Sequence, residues 1–501
     1  MLILLVITLA TVAVILRFLP HYISAKGLGV DHWFWKAYIE EYRRNRIFPP
    51  VLPQYIFDQH QWYPPFFPLL MAKLSSGFFD RWSHIIAIII DMIRMLLLIL
   101  ITHYECGGSL ASIAIAGIIY ATAPIQIFYN IQLNPRGLGA LFLDSMLIML
   151  LFIYNYHAPF WVWIFVLFLS GLILLTHKMT TQLFWFIALC CSIIYRDWLF
   201  LLLIPGSMAA AMILSKGFYW KILRAHWDII SFWNRNWRWI GADSIRESPI
   251  YGGGKYERPN KLHLKGFKGL FKHAFWLFGF NPSAWIACLL IYERLHMDSP
   301  LLLYPSYIIV WLLLACIFAL ITTYVSSLKC LGAGYLYTYN TSLLSSLLIG
   351  ITFCYSKIPA FTMYFSLLAI VLNIAGVLIF YRKLMADKEM RVNQNFDNIL
   401  QKLSKLPKGV VMCLPAKWYD VTAYKTGHPV LYGAHGYGFK LIEPTFPRFL
   451  LPVNEIINRY NVKYLLTMKE FLPDNFIAEL PASIIIEEGE YEFYCFNLKD
   501  N

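Results

Sequence analysis

The sequence predicts an all-α polytopic membrane domain followed by a small C-terminal α/β soluble domain. Three observations support this fold class. Only 14% of the 501 residues are charged and 59% are hydrophobic, whereas soluble chains carry about 25% charged residues. Apolar runs close to the ~20 residues that a helix needs to cross a bilayer recur along most of the chain. After Lys383, short β-like runs surround amphipathic segments, which is typical of a small α/β domain.

About eleven transmembrane helices are predicted from the apolar runs. They lie near 1–19, 84–103, 109–129, 137–155, 160–177, 181–195, 198–215, 273–292, 301–321, 341–355 and 360–381. The first run lacks a basic leading region and a small-residue cleavage site, so we expect a retained span and not a signal peptide. The predicted domains are therefore 1–382 in the membrane and 383–501 outside it.

Two long polar insertions, 20–83 and 216–272, interrupt the spans. An odd number of spans places both insertions on the same side of the membrane as the C-terminal domain. The second insertion is rich in lysine and arginine, and the positive-inside rule assigns such loops to the cytoplasm. Its interleaved tryptophans, tyrosines and cations are also typical of helices that lie in the lipid headgroup region.

The net charge of +13 comes from 42 basic and 29 acidic side chains. In a membrane protein, basic loops meet lipid headgroups or acidic substrates more often than nucleic acid, so we expect no nucleic-acid partner. The nine cysteines show no CxxC pair or metal-ligand spacing. Cys413 and Cys495 are candidates for a disulfide in the C-terminal region, although spacing alone does not establish the geometry.

The first insertion carries three candidate functional residues. Asp31 follows the first span and precedes an aromatic amphipathic segment. It suits a general base or a metal ligand, and it equally suits a helix N-cap. Asp58 and His60 stand shortly before a Pro-Pro pair that stops any helix. They suit a metal or acceptor site, with a solvated loop as the alternative.

Basic residues at the membrane boundary are candidates for binding phosphate. Arg136 lies in "LNPRG", and His177 and Lys178 lie in "LLTHKMT". Arginine donates to phosphate bidentately; a snorkelling arginine and an ordinary polar turn are the respective alternatives. Inside a span, Asp91 and Arg94 have the spacing of a structural ion pair on one helical face.

These motifs together resemble the GT-C superfamily of integral-membrane glycosyltransferases. The resemblance rests on a first span followed by "GVD" and an aromatic amphipathic helix, on "YPPFFPLL", and on "LNPRGLG", "LLTHKMT" and "LGAGYLYTYN". It also includes the C-terminal "AYKTGHPVLYGAHGYG". Polyprenyl- or dolichyl-phosphate-mannose protein mannosyltransferases and aminoarabinose transferases belong to this superfamily. The resemblance extends over most of the chain.

The resemblance implies an inverting transferase of the cell membrane, with its active site and C-terminal domain extracytoplasmic. It assigns the role of catalytic base to Asp31. Asp58 or His60 would position the acceptor or a divalent cation such as Mg or Mn. The implied partners are membrane lipids, a polyprenyl-phosphate-linked sugar donor and a glycan, lipid or protein acceptor.

The donor phosphate would be held by Arg136, His177, Lys178 and Lys329. The acid and arginine often seen in the family near 331–339 are absent here, which leaves Lys329 as the local cation. Two other functions stay open from the sequence. One is an oligosaccharyltransferase or polysaccharide ligase that uses a pyrophosphate-linked donor. The other is a lipid or polysaccharide transporter without catalysis, for which charged residues within spans are few.

Overall fold

The computed structural model is mainly helical and contains one four-stranded sheet. It describes residues 1–23, 30–57, 59–156, 158–236, 266–290, 305–386, 394–433, 439–447, 449–481 and 483–496. The chain forms two compact units. The helical unit comprises 1–26, 76–220 and 270–387, and the sheet unit comprises 27–75, 221–269 and 388–501.

The α-helices in the described ranges follow in chain order. They are α1 (Leu2–Ile23), α2 (Val30–Asn45), α3 (Phe66–Ala72), α4 (Ser76–Trp82), α5 (Ile86–Glu105), α6 (Leu110–Ala121), α7 (Pro124–Tyr129), α8 (Arg136–Tyr156), α9 (Val162–Leu174), α10 (Lys178–Tyr195), α11 (Trp198–Leu214), α12 (Tyr219–Asn236), α13 (Gly266–Gly279), α14 (Pro282–Leu289), α15 (Pro305–Tyr324), α16 (Ser342–Tyr355), α17 (Pro359–Ala386), α18 (Gln394–Ser404), α19 (Tyr419–Thr426), α20 (Phe439–Ile442), α21 (Val453–Arg459) and α22 (Asp474–Ile477). Short 3₁₀ helices occupy Ser83–Ile85, Ser326–Leu331, Gly334–Thr341 and Ala416–Trp418.

The helical unit contains six helices that are long and apolar enough to cross a membrane, namely α1, α5, α8, α10, α15 and α17. Each coincides with a predicted span, and together they make the chain an integral membrane protein. Three further predicted spans correspond to the shorter apolar helices α6, α9 and α11. The count of about eleven spans is thus supported for six helices of the described chain and stays a prediction for the rest.

The two remaining predicted spans, 273–292 and 341–355, differ from single long helices. Segment 273–292 is divided between α13 and α14, and the chain turns at Asn281 before Pro282 starts the second helix; proline is well suited to that first position. Segment 341–355 is α16, only 14 residues long, in which residues 342–352 are all buried. Because the hydroxyls of Ser345 and Ser346 donate to a carbonyl about one turn earlier, these serines are tolerated in the interior.

A buried network of four charges joins the helices of the helical unit. Arg17 in α1 donates to Asp91 in α5, and Arg94, one turn further along α5, donates to Asp144 in α8 at 2.8 Å. The Arg94 and Asp91 charges lie 3.8 Å apart, so the predicted ion pair is present. All four side chains are at most 2% exposed. Two positive and two negative charges balance, which buried ions require.

Removal of Arg94 should unbalance this network. In Arg94→Leu, the Asp144 carboxyl stays buried with no cation bonded to it among the described residues, and losing one partner of a buried pair costs about 3–5 kcal/mol. We expect a clear fall in the thermal unfolding midpoint in lipid nanodiscs. The double variant Arg94→Leu with Asp144→Leu keeps the Arg17–Asp91 pair neutral and should unfold at a higher temperature than the single variant. A double variant no more stable than Arg94→Leu would contradict this account.

The sheet unit is built on a four-stranded sheet with strand order β1-β2-β4-β3. The strands are β1 (Val410–Leu414), β2 (Val462–Met468), β3 (Ser483–Glu488) and β4 (Tyr491–Phe496). β1 and β2 are parallel, and β4 is antiparallel to both β2 and β3. The candidate disulfide between Cys413 and Cys495 is wrong, because β2 lies between β1 and β4 and both thiols are free.

Residues 27–75 belong to the sheet unit together with the C-terminal segment. The Tyr55 hydroxyl donates to the buried Asp420 carboxylate at 2.7 Å, and Tyr424 donates to Glu40 at 2.5 Å. Ile56 N donates to Val430 O at 3.0 Å. The sheet unit therefore takes in more of the chain than 383–501, because the first insertion hydrogen-bonds to it.

His428 is fully buried in the sheet unit. Its Nε2 lies 3.0 Å from Leu403 O, and Gly409 N donates to its Nδ1 at 3.3 Å. Burial lowers the pKa of His428, and the nearby Lys408 charge lowers it further, against the effect of the backbone hydrogen bonds. The folded protein therefore holds this imidazole neutral at neutral pH.

Acidification should weaken the sheet unit through His428. A depressed pKa in the folded state means that stability is fully present above the unfolded pKa of about 6.5 and is lost as pH falls below it, by at most about 1.4 kcal/mol per pH unit. We expect the unfolding midpoint to fall between pH 7 and pH 5, with a smaller fall in His428→Gln. Equal slopes for both proteins, measured by thermal unfolding across that range, would refute the role of His428.

Candidate functional site

The predicted phosphate-binding residues all belong to the helical unit. Arg136 is the first residue of α8, and Lys178 is the first residue of α10. His177 caps α10, because its imidazole accepts a hydrogen bond from Thr180 N. Lys329 lies in the 3₁₀ helix Ser326–Leu331.

The predicted catalytic residues belong to the sheet unit. Asp31 lies in the first turn of α2, which begins one residue earlier at Val30. Asp31 is thus inside the helix and does not occupy the capping position; its side chain lies outside the described residues. Asp58 also lies outside them. His60 is exposed, and its ring stacks on Trp62 with 5.9 Å between ring centroids.

The centre of the candidate site is the guanidinium of Arg136. Its Cζ lies 4.7 Å from the ring centroid of Tyr129 and 6.0 Å from that of Tyr339, distances at which a cation is attracted to an aromatic face. Its Nη1 is 3.4 Å from Leu336 O and 3.9 Å from Met179 Sδ. The buried Nε has no hydrogen-bond partner within the described ranges. The planar guanidinium is therefore fixed in place, and its Nε–H group remains available to donate a hydrogen bond.

Asn130 adds a second buried donor next to this arginine. The Tyr339 hydroxyl donates to Asn130 Oδ1 at 3.0 Å, and a Cβ on Gly137, the neighbour of Arg136, would lie 3.2 Å from that hydroxyl. Asn130 is 1% exposed, yet its Nδ2 has no partner in the part of the chain that the structure describes. An unsatisfied buried amide is costly, so a ligand oxygen or a water at this point would be stabilising.

Two helix N-termini meet beside Arg136. A Cβ on Gly139, in the first turn of α8, would lie 3.0 Å from His177 Cβ and 3.1 Å from Thr180 Oγ1 at the start of α10. α8 has 21 residues and α10 has 18, and each helix N-terminus carries a partial positive charge. Such termini bind phosphate groups readily. The arrangement thus suits an anion.

The tyrosine segment, Gly334–Thr341, holds the aromatic side of this site. Asn281 Nδ2 donates to Thr338 O at 2.8 Å, and the Tyr337 hydroxyl donates to Gln182 Oε1 at 2.7 Å. Gln126 Nε2 donates to Tyr339 O at 2.9 Å, while Gln126 Oε1 accepts from Arg94 at 3.2 Å. The buried charge network is therefore connected to the site through one glutamine.

Lys329 lies just before the tyrosine segment in the chain. Gly332 follows it closely, and a Cβ there would lie 3.1 Å from Met179 Cε, the residue whose sulfur contacts Arg136. Lys329 is half-buried, and burial lowers the pKa of its amine. A phosphate nearby would raise that pKa again, because an opposite charge favours the protonated form.

The described residues contain no group of three or more His, Cys, Asp or Glu side chains that is arranged to hold a metal ion. The carboxylates of Asp31 and Asp58 are outside that set. Oxygen ligands of this kind are the ones that Mg²⁺ and Mn²⁺ prefer, so a cation role for these two acids stays a prediction.

Asn130, Tyr129 and Tyr339 were not among the residues predicted from the sequence. A signal existed only for Tyr339, which lies in the segment "LGAGYLYTYN" with three tyrosines at alternate positions. Spacing alone did not show that these rings face Arg136, which lies about 200 residues earlier in the chain.

The helical unit defines an integral membrane protein, and the side chains where α8 and α10 begin are arranged in a way that suits an anion. No protein-family model matches the sequence, and no curated protein matches it. Solved structures do match. The apo oligosaccharyltransferase of Archaeoglobus fulgidus aligns with a TM-score of 0.59 and 12% identity, over 93% of this chain and 69% of that chain.

Two further solved structures align over nearly the whole chain. AglB from Archaeoglobus fulgidus, in complex with an inhibitory peptide and a dolichol-phosphate, gives a TM-score of 0.54 at 13% identity, over 93% of this chain and 69% of that one. ArnT from Cupriavidus metallidurans, bound to undecaprenyl phosphate, gives 0.54 at 10% identity, over 98% and 97%. These proteins are members of the GT-C superfamily. The chain has the GT-C fold, and the resemblance inferred from the sequence is confirmed at the level of the fold.

Gly334 provides a test of how the tyrosine segment is positioned. A Cβ there would lie 2.0 Å from Thr323 Oγ1 and 2.1 Å from Ala319 O in α15, so Gly334→Ala must push the segment away from the backbone of that helix. We expect a loss of roughly 1–3 kcal/mol, typical of overpacking, seen as a lower thermal midpoint. The control is Gly77→Ala, whose Cβ would meet nothing within 4 Å. If both variants unfold alike, the segment is not confined as described.

Proposed function

We propose that this protein is an inverting membrane glycosyltransferase that moves a sugar from a polyprenyl-phosphate-linked donor to an acceptor at the extracytoplasmic membrane surface. The observation that carries the proposal is Arg136, held between aromatic rings beside two helix N-termini with its Nε lacking a partner in the described chain. The GT-C fold supports it. So do two neighbours with that fold, which were solved with dolichol-phosphate and undecaprenyl phosphate.

The leaving group of such a reaction is the lipid phosphate. As the bond to the sugar breaks, negative charge grows on the phosphate oxygen, and donors fixed in advance stabilise that charge most effectively. Arg136 is suited to bidentate contact. Asn130 would add a neutral donor, and His177, Lys178 and Lys329 complete the predicted set. A lipid-linked donor remains in the bilayer, which suits a site formed by helix ends in a membrane protein.

Asp31 is the proposed catalytic base. Inversion needs one group that takes the proton from the acceptor hydroxyl as it attacks the anomeric carbon. Asp58 or His60 would position the acceptor, which is a glycan, a lipid or a protein. Mg²⁺ or Mn²⁺, if held by Asp58 or His60, would orient or polarise the reacting oxygen atoms. His60 is exposed and available to an acceptor at the surface.

The direct test is transfer by the purified full-length chain in proteoliposomes. Polyprenyl-phosphate-linked sugars would be supplied with membrane-extract acceptors, and released polyprenyl phosphate would be measured. A parallel assay with a polyprenyl-pyrophosphate-linked donor distinguishes the oligosaccharyltransferase-like alternative. Release from the monophosphate donor alone supports the proposal; release from the pyrophosphate donor alone refutes the donor assignment. No release from either donor would refute glycosyl transfer as proposed.

Asp31→Asn should abolish most of the transfer. Loss of a general base lowers rates by about 10²–10⁴-fold, and we expect the loss in kcat with little change in KM for the donor. The matched control is Asp474→Asn, at the start of the short helix α22, which should transfer normally. An Asp31→Asn protein as active as the wild type would remove Asp31 from the mechanism.

Arg136→Lys should retain some activity and Arg136→Met very little. Lysine keeps the positive charge but lacks the planar pair of N–H donors that arginine presents to a phosphate. We therefore expect transfer activity to fall about 10-fold in Arg136→Lys and about 10³-fold in Arg136→Met, within the range for a group that stabilises developing charge. The control is Arg44→Met, because the Arg44 side chain is 77% exposed. Similar losses in Arg44→Met, or none in Arg136→Met, measured as kcat/KM for the donor, would contradict the assignment.

A further inference from the structure

Two cysteines of the helical unit lie in contact, although they are 28 residues apart in the chain. Cys288 belongs to α14 and Cys316 to α15, and their Sγ atoms are 3.8 Å apart. Both thiols are free; Cys316 is buried, whereas Cys288 is only partly covered. Their contact is not needed for the proposed transfer reaction.

We propose that Cys288 and Cys316 are an oxidation site that forms a disulfide between α14 and α15. The sulfur atoms of a disulfide are about 2.05 Å apart. The two Sγ atoms, which are 3.8 Å apart here, must therefore move closer by less than the diameter of a sulfur atom. The helices already pack against each other and against α16.

The oxidant is a small membrane-permeant peroxide. Hydrogen peroxide oxidises the partly covered Cys288 thiol to a sulfenic acid and is itself reduced to water. The Cys316 sulfur then attacks the Cys288 sulfur, and the sulfenic oxygen leaves as a second water with the thiol proton. One peroxide is thus consumed per disulfide, and no other reductant or cofactor takes part.

The position of the pair gives the bond a structural consequence. Asn281, immediately before α14, donates to Thr338 in the tyrosine segment. Gly334 at the other end of that segment packs directly on α15. A Cys288–Cys316 bond would therefore fix together the two helices that hold the tyrosine segment from either side. Another pair of cysteines lies elsewhere in the helical unit: Cys354 Sγ in α16 is 3.8 Å from the carbonyl oxygen of Cys106, the residue that follows α5.

The test is a mass-spectrometric search for the cross-linked peptide. The full-length protein in lipid nanodiscs is treated with hydrogen peroxide, free thiols are blocked by alkylation after unfolding, and the chain is digested without reductant. We expect a Cys288–Cys316 peptide enriched about tenfold over the untreated sample and lost on reduction, as thiol–disulfide chemistry requires. It should be absent from Cys288→Ser and Cys316→Ser and present in the matched control Cys190→Ser.

Two results would overturn the proposal. One is oxidation of Cys288 to a sulfinic acid, or its bonding to a cysteine other than Cys316. The other is complete alkylation of both thiols after a peroxide dose that oxidises other cysteines of the same chain. Because neither readout measures sugar transfer, the oxidation site is tested independently of the proposed function.

Discussion

The buried balance of two arginines and two aspartates is the constraint on which the helical unit depends. Each of these charges would be costly alone in an apolar interior, so α1, α5 and α8 must meet in the one register that pairs them all. Arg94 then extends the arrangement to Gln126, and Gln126 fixes the backbone of Tyr339. The location of the site is in this way determined by charge neutralisation deep within the bundle.

The surroundings of Arg136 fix the position of its guanidinium in the candidate site. Arg136 is held by ring faces and by a carbonyl oxygen, contacts that restrict its rotation and leave donor capacity unused. Lysine in the same position would be a mobile point charge. The aromatic rings also make the surroundings of the guanidinium less polar, and an electrostatic contact with phosphate is stronger in such surroundings.

The sequence was most informative where the physical signal is local. Apolar runs located the long spans, and a three-residue spacing located the Asp91–Arg94 pair. Local sequence patterns could not identify the partners of that pair. Arg17 lies 74 residues before Asp91, and Asp144 lies 50 residues after Arg94. The same limit applies to Asn130, an ordinary loop residue in sequence whose burial depends on Tyr339, 209 positions away. The cysteines of β1 and β4 were paired wrongly, since strand order is a long-range property.

The separation between Arg17 and Asp91 bears on the order in which the protein is assembled. Only 17% of the apolar stretch of α1 is buried within the protein, so this helix enters the bilayer largely surrounded by lipid. Arg17 lies about 9 Å from its C-terminal end, close enough for the guanidinium to reach the headgroups while α5 is still being synthesised. Packing of α5 against α1 therefore has to bring the Arg17 guanidinium into the interior, where it lies fully buried beside Asp91.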